Sequence, residues 1–62
     1  TSAIASDYFA RAMILVKGNP DKEEIESAID DADWAREIFI SGGYDAMAEK
    51  CRLFIEGHSG TN

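Results

Sequence analysis

Two breaks do most to limit what this chain can become. Gly18, Asn19, Pro20 and Asp21 form the first, and Gly42 with Gly43 the second. A glycine just past a helix takes the left-handed conformation at little steric cost, so each break reads as a helix stop. After Gly18, the run Asn19, Pro20, Asp21 has the order of an N-cap, a first-turn proline and an acid favoured by the helix dipole.

The breaks leave three stretches, and in each the apolar residues recur at intervals of three and four. Residues 3–17 carry Ile4, Ala5, Tyr8, Phe9, Ala12, Leu15 and Val16, the broad face of an amphipathic helix. Residues 20–41 carry Ile25, Ala28, Ile29, Ala32, Ala35, Phe39 and Ile40, with three alanines that let a neighbour approach closely. Residues 44–56 would bury Tyr44, Met47, Ala48, Cys51, Phe54 and Ile55 before Gly57 closes the third helix. No segment alternates with period two. The expected fold class is therefore all-α: a small three-helix bundle, or an antiparallel helical hairpin plus a third helix. It would fill residues 1–57 as one domain, with 58–62 a flexible tail.

Size makes such a fold thin. A chain of 62 residues buries only about 60% of its unfolded surface. Cys51 is the sole cysteine, so no internal disulfide can form, and no metal-ligand cluster stands in for one. Self-association is the remaining way to cover more apolar surface, and a homo-oligomer is expected. An apolar content of 45% outweighs the net charge of -6 and argues for a folded chain rather than a disordered one. The lone thiol fits a reducing, cytoplasmic setting. The longest apolar run, Ala12 to Val16, falls far short of the roughly 20 residues that span a membrane, so no membrane partner is expected.

Gly42, Gly43, Tyr44 and Asp45 resemble the Gly-Asp-Tyr-Asp turn between the paired helices of tetratricopeptide repeats. The resemblance ends with that turn. The small positions of the repeat fall on Met47 and Phe54, its early aromatic falls on Asp31, and one unit has no neighbours to stack on. The chain is not read as a member.

Enzymatic chemistry finds no foothold. Nucleophilic catalysis needs a Ser, Cys or Thr beside an oriented base, yet Cys51 lies on an apolar face and His58 in the expected tail. The acids of the central helix lack the Glu-x-x-His partners of di-iron bundles and the glycine bend of a calcium loop. The Gly42-Gly43 pair lacks the spacing and the lysine of a phosphate loop. No catalytic residue, cofactor or metal is expected. Direct nucleic-acid binding is disfavoured as well, because twelve acids face six bases at a pI near 4.4.

The charge is concentrated. Between Pro20 and Ser41 lie eight acids against Lys22 and Arg36, so the central stretch alone carries -6. Five of these acids, Glu23, Glu26, Asp30, Asp33 and Glu37, are spaced three, four, three and four apart, which puts them along one helical ridge. Trp34 and Ile38 sit beside the ridge, one turn apart and off the core stripe. Solubility and the helix dipole account for the acids of the first turn. They account less well for Asp30, Asp31 and Asp33, since aspartate is a poor residue inside a helix.

These features support a small, acidic, non-enzymatic protein-interaction module, a regulator or inhibitor that masks a basic surface of a larger protein partner. Trp34 and Ile38 would anchor it, and Glu23, Glu26, Asp30, Asp33 and Glu37 would orient it. There are two alternatives. One is a nucleic-acid mimic in which the same carboxylate row blocks a DNA- or RNA-binding groove. The other is a structural or assembly domain whose off-stripe apolar residues, among them Ala10 and Ile14 in the first stretch and Leu53 in the third, pack on a longer chain or complex.

Overall fold

The computed structural model describes residues 2–59 and comprises helices α1 (Ser2–Leu15), α2 (Lys22–Ser41) and α3 (Asp45–Ser59), with no strand among the described residues. It is a small three-helix bundle with α2 in the middle.

The start of α2 lies later than the sequence suggested. The cap is Asp21 rather than Asn19: its carboxylate accepts the Glu24 N–H at 2.8 Å, while the Glu24 carboxylate accepts the Asp21 N–H at 3.0 Å. This reciprocal pair satisfies two donors at once, and Asn19, with Lys22 three residues on, has no acceptor to complete it. α1 stops slightly early. Its end tightens as Lys17 donates to the Ile14 carbonyl at 3.1 Å, and Gly18 follows at φ +85°.

The second break closes as a full Schellman turn. Gly43 occupies the left-handed position at φ +81°, its N–H donates to the Ile40 carbonyl at 3.1 Å, and the Tyr44 N–H donates to the Phe39 carbonyl at 2.8 Å. The apolar contact that accompanies such turns is the Tyr44 ring meeting Phe39 edge-on, centroids 6.3 Å apart. Gly57, by contrast, does not stop α3, which continues through His58 to Ser59. A glycine inside a helix costs only about 1 kcal/mol relative to alanine, and His58 gains a ring contact with Phe54 at 4.5 Å. Of the tail expected over 58–62, residues 60–62 lie outside the described residues.

The core is built largely of alanine. Ala5 and Ala12 of α1, Ala28, Ala32 and Ala35 of α2, and Ala48 of α3 are buried, joined by Phe9, Phe39 and Cys51. Tyr8, Leu15, Val16, Ile38, Met47, Phe54 and Ile55 pack around them half-buried. Three residues expected inside are instead about half exposed: Ile4, Ile40 and Tyr44. Ile4 and Ile40 stand at the edges of their stripes. Tyr44 caps the α2–α3 turn, its ring against Phe39 and over Gly42 and about half of the residue in water.

Both outer helices lean on α2 and approach each other little. The edge-to-face contact of Phe9 and Phe54, at 5.6 Å, bridges them. The extents of 32 × 21 × 14 Å agree with this, the long axis matching the roughly 30 Å of a 20-residue helix. The cross-section is wider than it is deep because the triangle of helices is open.

Candidate functional site

The core stripe of α2, through Ala28, Ala32, Ala35 and Phe39, fixes which face points outward. At about 100° per residue, the ridge falls on the opposite side. Glu23, Glu26, Asp30, Asp33 and Glu37 are all exposed. The ion pairs among the described residues join Arg11 to Asp31 and Arg52 to Glu49 and Glu56, so none engages the ridge. Five like charges along about four turns repel one another, each close pair by a few tenths of a kcal/mol.

Asp31 is the exception among the mid-helix aspartates. Its carboxylate lies 3.6 Å from the Arg11 guanidinium and is largely covered, so it ties α1 to α2. Such a pair contributes at most about 1 kcal/mol, but it gives this aspartate a structural reason that Asp30 and Asp33 lack.

Trp34 stands between the ridge and α1, 49% exposed. Its inner side meets the ring of Tyr8 at 4.6 Å, with the planes tilted by 58°. Ile38, one turn on, is half-buried against the core. Trp34 is thus neither a core residue nor a free-standing anchor: its ring is in tilted contact with Tyr8, and about half of the residue is open to solvent. Its spacing in α1 places Tyr8 on the core stripe, and nothing in that spacing marks it as the support of Trp34. Only the register between α1 and α2 brings the rings together, although an amphipathic tyrosine at the edge of a stripe is the residue type suited to such a position.

The remaining polar groups do not converge. Cys51 is fully buried, and burial pushes its thiol pKa up, against the pull of Arg36. His58 is held over Phe54 rather than lying loose, but it stands two helical turns beyond Cys51. Arg52 clamps Glu49 and Glu56 on the surface of α3, and its hydrogen bond lowers the Glu49 pKa. Among the described residues, no three His, Cys, Asp or Glu side chains gather where a metal ion would sit, and no helix is long and apolar enough to cross a membrane.

What the arrangement offers is a surface: a half-exposed indole braced by Tyr8, an aliphatic neighbour, and a row of carboxylates that form no ion pair among the described residues. Comparison with known proteins finds no matching family, no similar curated protein and no similar solved structure.

Proposed function

We propose that this chain is a non-enzymatic protein-interaction module that docks a protein partner bearing a basic surface, with Trp34 and Ile38 as the anchor and Glu23, Glu26, Asp30, Asp33 and Glu37 as the orienting rim. The observation that carries this reading is the half-exposed, Tyr8-braced Trp34 beside a ridge whose carboxylates form no ion pair among the described residues. An indole already ordered by a neighbouring ring loses little freedom on binding, and tryptophan is among the residues that dominate binding energy. The ridge would steer a cationic surface into place and speed association more than it tightens the complex. The module acts by occupying and masking that surface, which is how a regulator or inhibitor of this size would work.

A nucleic-acid mimic is favoured by the same ridge, because its five carboxylates form an exposed, straight row. The two readings rank substitutions in opposite order. For the partner recovered with the protein as bait, titration calorimetry at low and high salt separates them. Docking through Trp34 predicts that Trp34→Ala costs about 2 kcal/mol or more, while joint neutralisation of Glu26, Asp30, Asp33 and Glu37 mainly slows association. The proposal fails if Trp34→Ala binds like the parent while neutralising the ridge abolishes a steeply salt-dependent complex.

A further inference from the structure

The apolar surface around Trp34 extends beyond α2. Tyr8 touches Trp34 and Arg11 pairs with Asp31, so moving three residues along α1 moves three residues the other way along α2. This antiparallel register brings Ile4, one turn before Tyr8, level with Ile38, one turn after Trp34. Ile4 is 46% exposed, and Tyr8 and Ile38 are half-buried. The four residues form one apolar strip over the seam between α1 and α2, with an i, i+4 pair from each helix.

Both rims of the seam are acidic. On the α2 side, Asp30 and Glu37 lie one turn either side of Trp34, and on the α1 side Asp7 follows Ile4 by three residues. All three are exposed. Arg11, which follows Tyr8 by three residues, is paired with Asp31.

We infer that the α1–α2 seam is a groove for a single basic amphipathic helix, which would pack on Ile4, Tyr8, Trp34 and Ile38 as a fourth helix while its lysines or arginines meet Asp7, Asp30 and Glu37. This inference rests on the reading of the Trp34 face as a docking surface and names the partner's chemistry. A helix is the shape that two parallel rows of side chains one turn long accept, since its apolar residues at i, i+3 or i+4, and i+7 fall into the line between them. Charge selects a basic helix. It also disfavours a second copy of this chain on this face, because two copies would bring two acidic rims together.

The probe is a synthetic peptide of about five turns, with leucine on one face and lysine on the other. A glutamate-for-lysine counterpart and an oligolysine of equal charge serve as comparisons. Amide shifts of the isotopically labelled protein, Trp34 fluorescence and peptide circular dichroism are read in one titration. The expected result is helix gain in the lysine peptide and shifts centred on Ile4, Tyr8, Trp34 and Ile38. Affinity should fall about tenfold in Trp34→Ala and measurably in Ile4→Ser, with no change in Met13→Ser or Leu53→Ser, exposed apolar positions of α1 and α3 that are not part of the strip. The comparison peptides should bind far more weakly. Shifts confined to α2, with Ile4→Ser silent or no helix gain, would overturn the seam helix and leave docking at Trp34 standing. Shifts centred on Met13 and Leu53, or a free protein already dimerised through Trp34, would overturn both.

Discussion

At Cys51 the thiol is fully enclosed and its pKa is raised by burial. Ionising it therefore costs more in the folded chain than in the unfolded one. The stability linked to this group is complete below the unfolded thiol's value of about 8.5, and it is lost as pH rises from there through the folded value. Urea unfolding at about pH 7 and about pH 10 should show a loss in the parent that is smaller in Cys51→Ala. Equal losses in the two proteins would show that the thiol contributes nothing to alkaline sensitivity. Cys51 also marks what spacing reveals at this scale. Ala12, Ala32 and Cys51 lie at the centres of their stripes and are buried as expected, whereas Ile4 and Ile40 at stripe edges are half exposed. Periodicity gives the direction of a side chain, but how far a neighbour covers it depends on where the neighbour's axis runs.

Helix ends are where local chemistry leaves the clearest trace. Gly18 and Gly43 both adopt positive φ, as their places in the sequence imply, while the cap moved from Asn19 to Asp21 because the capping box needs Glu24. Gly43→Ala should cost about 1–2 kcal/mol, since the left-handed conformation then carries a Cβ. Asp21→Ala should cost about 1 kcal/mol, and Asn19→Ala should stay within about 0.5 kcal/mol. Thermal denaturation of the three variants gives the order, and an Asn19→Ala loss equal to that of Asp21→Ala would return the cap to Asn19. The candidate site was only partly legible at this scale. The ridge is a property of α2 alone and can be read from its spacing. The Tyr8–Trp34 pair and the level of Ile4 with Ile38 belong to the register between two helices, which no single-helix pattern encodes.

For the whole molecule, the net charge of -6 and the alanine-rich core act in the same direction. Alanines bring helices close but bury little apolar area each, so Phe9 and Phe39 supply much of the enclosed surface. Against a total stability of roughly 3–9 kcal/mol for a chain this size, repulsion along the ridge is a sizeable opposing term. Raising sodium chloride from about 0.01 M to about 1 M screens that repulsion and should raise the urea midpoint of the free protein. A midpoint unmoved by salt would mean that the ridge imposes no strain on the fold. The open arrangement of the helices has a kinetic consequence. Because α1 and α3 each rest on α2 and hardly on each other, the bundle consists of two hairpins that share a helix. No contact essential to either hairpin must wait for the distant end of the chain. Loop closure is short in both, and topologies dominated by such local contacts fold in microseconds to milliseconds. Either hairpin can assemble first, with α2 as the step common to both routes.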